Sequence, residues 1–277
     1  MIETLPLAGG RSLALPHPLV MGILNATPDS FSDGGEIEDP IARARRIDAM
    51  LEAGVDVIDI GGESTRPGHT PVDAAEEIRR VLPVIADVRD RDPDLPISID
   101  SQKAVVAARA LDAGVSLVND VSALSDPDMA GVVAEAGCAY VAMRRRPLTS
   151  PLLESCRAVL DQLVRRAVEA GIPETAIVVD PGLGFGERPG ASADDNLDLV
   201  EGIAAYSQGR PVLIGASRKR FVRSLVGEDP AAITAGSVAI AIRAVEIGAA
   251  FVRVHDVTET MAGLRAARHR PRASAHP

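Results

Sequence analysis

A single (β/α)8 TIM barrel, α/β in class, with a short N-terminal extension and a disordered C-terminal tail, is the fold this sequence predicts, on three observations. The chain has 277 residues, close to the roughly 250 of one α/β barrel. Eight short Val/Ile/Leu-rich runs alternate with helix-length segments, and the runs are mostly free of polar residues, as strands covered on both faces are. Five of the helical segments stop at a glycine, Gly54, Gly114, Gly137, Gly171 or Gly248. Glycine adopts the left-handed conformation that closes a helix ahead of the next strand. The alternative, a doubly wound open sheet, wants a Gly-rich dinucleotide loop after an early strand, and the sequence has none.

Taken in order, strands are expected at residues 19–24, 55–60, 96–99, 116–118, 139–143, 176–179, 211–215 and 250–254. Helices are expected between them, among others at 41–53, 74–90, 104–113, 129–136, 153–170 and 197–206. No repeat, linker or shift of composition divides the chain, so residues 19–267 read as one domain. Residues 1–18 form an extension suited to a small hairpin plugging the barrel base. Residues 268–277, with Pro271, Arg272 and Pro277, read as the disordered tail.

Composition excludes several classes. Apolar residues make up 46% and charged residues 25%, as in a folded globular protein. Aromatics are 2% with no Trp, and the net charge is −10, which argues against base stacking and phosphate-backbone binding, so no nucleic-acid partner is expected. The most apolar stretch, 237–252, is broken by Arg243 and Glu246, so no membrane span is expected. Residues 1–10 lack the basic and apolar regions of a secretory signal, and Cys138 and Cys156 show no CxxC spacing. Both cysteines read as core residues, and the expected compartment is the cytoplasm. Only Lys103 and Lys219 among the 29 basic side chains are lysines, which singles them out as candidates for a role that needs an ammonium.

Barrel chemistry gathers at the C-terminal ends of the strands. Those ends carry Asn25, then Asp59 ahead of Gly61-Gly62-Glu63, then Asp100, Asn119-Asp120, Met143 ahead of Arg144-Arg145-Arg146, Asp180, Ser217-Arg218-Lys219-Arg220, and Arg253 with His255-Asp256. Asp100, Asn119 and Asp180 converging on one pocket would suit a flat heterocycle that presents N–H donors, such as a pterin or purine edge. Taken singly, each Asp could equally cap the following helix. Arg66, Arg144, Arg145, Arg146, Arg218, Lys219, Arg220 and Arg253 map to the same face, a basic mouth suited to a phosphorylated anion. Residues 217–219 open a helix whose free N–H groups would favour the same anion. Two long Gly/Pro/Ser loops, after strands 1 and 2, suit segments that order over a substrate. The five histidines show no zinc-ligand spacing, and no GxSxG is present.

The strings MGILNATPDSFSDGG (21–35), DIGGESTRPG (59–68), SID (98–100), VNDVS (118–122), DPGLGFG (180–186), GASRKRF (215–221) and VRVHDV (252–257) resemble the dihydropteroate synthase family, in family order over about residues 19–265. The resemblance implies condensation of 6-hydroxymethyl-7,8-dihydropterin pyrophosphate with p-aminobenzoate, releasing pyrophosphate and 7,8-dihydropteroate. It also implies Mg²⁺ as cofactor and a homodimer, and Phe31, Thr65, Pro67 and Ser217, ordinary residues of the family, suit a sulfonamide target. By the same resemblance Asp100 and Lys219 are catalytic, and Asp100, Asn119, Met143, Asp180 and Lys219 bind the pterin. Asn25, Arg253 and His255 take the pyrophosphate, with Asn25 also at the metal. Phe31, Asp33, Thr65, Arg66, Pro67, Phe185 and Ser217 form the mobile loops and the aminobenzoate subsite.

Four positions depart from the family pattern. Arg144 stands where His is usual, Ser101 where Thr is usual, Ala26 where Val is common, and Glu187 where a basic residue is usual, followed by a Pro-Gly insertion. Two other readings stand beside the first: a catalytically silent pterin-binding homologue, and a methyltransferase barrel passing a folate methyl group to a corrinoid. The second would not need the PDSFSDGG and STRPG loops or the RVHD site.

Overall fold

The computed structural model describes residues 2–27, 39–64, 71–185 and 192–268. An antiparallel hairpin, β1 (Thr4–Leu7) with β2 (Arg11–Ala14), precedes eight parallel strands. These are β3 (Leu19–Asn25), β4 (Val57–Gly61), β5 (Ile97–Asp100), β6 (Leu117–Asp120), β7 (Ala139–Met143), β8 (Ile177–Asp180), β9 (Leu213–Ile214) and β10 (Phe251–Val254). Their lateral order is β8-β7-β6-β5-β4-β3-β10-β9. The parallel bridge Val179–Val212 joins β8 to the start of β9 and closes the barrel.

The helices are α1 (Pro40–Ala53), α2 (Ala74–Arg91), α3 (Ala104–Asp112), α4 (Met129–Ala136), α5 (Leu152–Glu169), α6 (Ala193–Glu201), α7 (Ile203–Ser207), α8 (Arg220–Val226), α9 (Pro230–Glu246) and α10 (Val257–Arg268). Asp39, Asp73 and Asp229 cap α1, α2 and α9 by accepting from Ile41 N, Glu76 N and Ala232 N, satisfying donors that have no partner within the helix. All five expected terminal glycines have positive φ, from 60° at Gly137 to 108° at Gly248. The single helix expected at 197–206 is instead α6 and α7, broken at Gly202. A Cβ there would lie 2.4 Å from Leu153 Cδ2, so α5 packs directly on backbone at the break.

Alternation along the strands sorts the core into two layers. Val20, Ile58, Ile60, Ile97, Ile99, Val118, Tyr140, Ile177, Val179, Ile214 and Val252 face outward under the helices. Leu19, Met21, Val57, Leu117, Ala139, Val141, Val178, Leu213 and Phe251 fill the lumen, where Leu5 and Leu7 of the hairpin join them. Ala8 N donates to Ser116 O, just ahead of β6, so the hairpin plugs the base, as its sequence suggested.

Several strands run further than expected, whereas the one expected over 211–215 narrows to Leu213–Ile214. β3, β5, β6 and β8 run on through Asn25, Asp100, Asp120 and Asp180, residues whose polarity suggested that the strands had stopped. Each backbone keeps its ladder bonds. Asn25, Asp100 and Asp180 continue the lumen-facing alternation, whereas Asp120 points outward to Tyr140. Of the expected disordered tail, 268–277, Arg268 is instead the last residue of α10, and 269–277 lie outside the described residues. Cys138 and Cys156 are buried thiols, and burial pushes them up to about 11 and about 12, which leaves them unreactive. Among the described residues no single helix is long and apolar enough to cross a membrane.

Candidate active site

Register places the candidate residues at one level of one rim. Asn25 pairs with Gly61, Gly61 with Asp100, and Asp100 with Asn119. Further round, Met143 pairs with Asp180. Residues at strand ends that share a register also share a rim, so four consecutive strands deliver an amide, a glycine, a carboxylate and an amide side by side. Gly215, beyond β9, leaves space beside Arg253, since a Cβ on it would lie 3.8 Å from Arg253 Cβ.

Arg253, on β10 next to β3, reaches across the lumen and binds the rim together. Its Nε donates to Asp59 Oδ2 and its Nη2 to Asp100 Oδ2, each at 2.6 Å. Asn119 Nδ2 donates to the same Asp59 oxygen at 3.1 Å. Asp59 is fully buried one layer below the rim, beside its register partner Ser98. Asp59 Oδ1 and Ser98 Oγ are buried without a hydrogen-bond partner among the described residues, which marks a polar position in the lumen. The sequence reading assigned no role to Asp59. Its alternation with Val57 and Gly61 was the signal that it faces the lumen.

Burial pushes the Asp100 carboxyl up to about 7; Arg253 opposes the rise, while Asp59, Glu77 and Asp120 add to it. Asp180 is raised for the same first reason, with Lys219 and the N–H of Gly182 opposing. Burial works against the charge on Arg253, yet Asp59, Asp100 and Asp180 together hold it firmly cationic. One guanidinium thus senses three carboxylates.

Lys219 reaches from the start of α8 to the carbonyl of Leu183, and its ammonium lies 4.5 Å from the Phe185 ring centre. Ser217 Oγ accepts from the backbone N–H of His255 at 3.1 Å and lies 3.0 Å from its Nδ1.

The basic mouth is smaller than the sequence suggested. Arg144 is buried and donates to the carbonyls of Pro181, Gly182 and Arg146. Arg218 is paired with Asp256, at 2.5 and 3.1 Å. The free N–H groups expected at 217–219 are also engaged: Arg218 N donates to Ser237 Oγ and Lys219 N to Ala216 O. A sequence counts charges without showing which carboxylate or carbonyl each one meets.

Phe31, Asp33, Thr65, Arg66 and Pro67 lie outside the described residues, as does Glu187. No group of three or more His, Cys, Asp or Glu among the described residues could hold a metal ion. The amide oxygen of Asn25 lies 3.6 Å from where a Cβ on Gly61 would stand, so it is a hard oxygen donor close beside the Gly61 backbone. A divalent cation that takes most of its ligands from phosphate and water fits such a single donor.

The chain is similar to several known proteins. The chain is 44% identical over 261 residues to a probable bifunctional folylpolyglutamate synthase/dihydropteroate synthase of Haloferax volcanii, covering 90% of this chain and 30% of that one. The chain thus spans about a third of the length of such haloarchaeal relatives. It is 36% identical over 268 residues to the dihydropteroate synthase of Escherichia coli K12, covering 93% of each. The dihydropteroate synthase of Xanthomonas albilineans, solved with 4-aminobenzoic acid, superposes with a TM-score of 0.85 at 40% identity, covering 97% of this chain and all of that one. With the model of the pterin binding enzyme family matching residues 21–255, the chain belongs to that family.

Proposed function

We propose that this protein catalyses the dihydropteroate synthase reaction, joining 6-hydroxymethyl-7,8-dihydropterin pyrophosphate to p-aminobenzoate with release of pyrophosphate. The observation that carries the reading is the rim on which Asp100 and Asn119 pair in register, Arg253 bridges Asp59 and Asp100, and Asp180 stands within range of Lys219 and Arg253. A pterin presents ring N–H and amino donors beside a carbonyl acceptor. The carboxylates of Asp100 and Asp180 and the amide of Asn119 accept from the donors, and Lys219 donates to the carbonyl, with Met143 against the ring.

In the reaction the bond between the pterin methylene carbon and the pyrophosphate oxygen breaks, and the electron pair leaves with pyrophosphate. Positive charge develops on the methylene and ring, and ionised Asp100 stabilises it. The amine lone pair of p-aminobenzoate then forms the C–N bond, and the proton that the amine loses passes to the released pyrophosphate. Arg253 and His255 receive the anion. Arg253 turns to it as Asp100 exchanges the guanidinium for the pterin. Mg²⁺, when bound, spreads the charge of the leaving group, and Asn25 is the side chain placed to hold it. Ser217, Phe185 and the loop residues Phe31, Asp33, Thr65, Arg66 and Pro67 form the aminobenzoate subsite and exclude water. A sulfonamide, whose aryl amine copies p-aminobenzoate, competes for that subsite.

The reading includes a cytoplasmic homodimer. Buried Cys138 and Cys156, free of any disulfide, agree with a reducing compartment, and Leu225 and Val226, exposed together at the end of α8, offer an apolar contact. The test is pyrophosphate release by the purified protein with Mg²⁺, requiring both substrates and yielding dihydropteroate by mass. Pterin binding without turnover would instead identify a silent homologue and overturn the proposal.

A further inference from the structure

Arg144 carries the inference that goes furthest beyond the site just described. It follows β7 directly, and only 3% of its surface is exposed. Its Nε donates to Pro181 O at 2.5 Å, its Nη2 to Gly182 O at 2.7 Å, and its Nη1 to Arg146 O at 2.5 Å. The backbone is engaged as well. Arg144 N donates to Asp180 O at 2.9 Å, and a Cβ on Gly182 would sit 2.0 Å from Arg144 O, so this contact admits only glycine. A planar guanidinium can hold several carbonyls in a fixed mutual orientation, which no other side chain does.

Two pterin-facing groups depend on the turn so held. Gly182 N donates to Asp180 Oδ1 at 2.7 Å, so the position of Gly182 sets the direction of the Asp180 carboxylate. One residue on, Leu183 O receives the ammonium of Lys219. The turn is pinned at its far side by Gly184 N, which donates to Asn196 Oδ1 at 2.8 Å. We infer that Arg144 is a positioning residue for the pterin subsite, fixing the 181–183 turn and through it the aim of Asp180 and Lys219, and that it is not a ligand of the pyrophosphate. The inference rests on the proposed function and adds to it a residue whose charge points into the protein.

Calorimetric titration of wild type, Arg144→Lys and Arg144→His with two probes tests this: a pterin lacking the pyrophosphate, and pyrophosphate with Mg²⁺. Lysine keeps the charge but loses the fork, so both variants should bind the pterin about tenfold or more weakly, as loss of charge-assisted hydrogen bonds implies. Their affinity for pyrophosphate should stay within about twofold of wild type, since no anion contact is lost. A general loss of stability would lower the melting temperature without this selectivity. Undiminished pterin affinity, or pyrophosphate affinity that falls with the charge, overturns the inference. Should the variants fail to fold, the wild-type Arg144 Nε–H resonance decides: it should move on adding the pterin and stay in place on adding pyrophosphate, and the reverse overturns the inference. Wild type that binds no pterin overturns the functional reading itself, whereas wild type and variants that bind it equally overturn only the role of Arg144.

Discussion

Arg253 stands 194 positions from Asp59 in the chain, yet its Nε lies 2.6 Å from the Asp59 carboxylate inside the barrel. Asp59 also accepts from Asn119, so one fully buried carboxylate fixes both a cation and an amide of the rim. Asp59→Ala removes a charged acceptor from Arg253 and Asn119 while Arg253 keeps Asp100, so it should cost about 2–3 kcal/mol, the range for a hydrogen bond to a charged group. Urea denaturation measures it. Asp59→Asn keeps an oxygen for Arg253 and should recover much of that stability while leaving Arg253 bound mainly to Asp100. Wild-type stability in Asp59→Ala would show that the pair contributes nothing to the fold.

Asp100 links the same cluster to pH. Burial raises its carboxyl to about 7, against about 3.9 unfolded. Between those values the folded state binds more protons than the unfolded one, so this group's contribution to stability falls as pH rises through that window. Activity should move the other way, because stabilising a developing cation needs the ionised form. The kcat/KM for the pterin substrate should climb with unit slope up to about pH 7 and then level. Asp59→Asn removes a neighbouring negative charge, so it should shift that limb to lower pH. An unshifted limb would mean that Asp100 does not titrate in the profile.

The barrel was legible because its signals are local. Gly54, Gly114, Gly137, Gly171 and Gly248 all take the positive φ that their position after a helix required. The rim residues Asn25, Asp100, Asn119 and Asp180 could also be found, since strand order alone delivers strand ends to one face. What stayed hidden depends on three-dimensional partners. Arg144 and Arg218 read as anion ligands until their carbonyls and carboxylate were seen. Asp59 sits in an otherwise apolar strand, and only its parity with Val57 distinguishes lumen from helix face.

Lys219 tests the site apart from the fold. Its ammonium meets the Leu183 carbonyl and the Phe185 ring, both in the loop after β8, while the core takes the Leu183 side chain and not the lysine. Lys219→Ala should lower kcat/KM by about 100-fold or more, roughly 2.7 kcal/mol of transition-state stabilisation, and leave the melting temperature close to wild type. Lys219→Arg should not restore activity, because a forked, planar group cannot replace a compact ammonium end-on to a carbonyl. Steady-state kinetics with differential scanning calorimetry decides. Wild-type-like turnover in Lys219→Ala would remove Lys219 from the site.

The other lysine follows a different logic. Lys103 Nζ lies 2.5 Å from Glu63 Oε2 and 2.6 Å from Glu77 Oε2, and Glu77 is fully buried. Glu63 also lies within reach of Val72 N, at 3.4 Å, so the ammonium joins the loops after β4 and β5 to α2. Lys103→Met would strand two carboxylates, one without solvent, at a cost of about 3 kcal/mol or roughly 6–12 °C in melting temperature. Adding Glu77→Gln should return most of that loss, because the penalty lies in an uncompensated buried charge and not in the missing ammonium. A double variant as unstable as the single one would place the loss in the packing of the lysine stem instead.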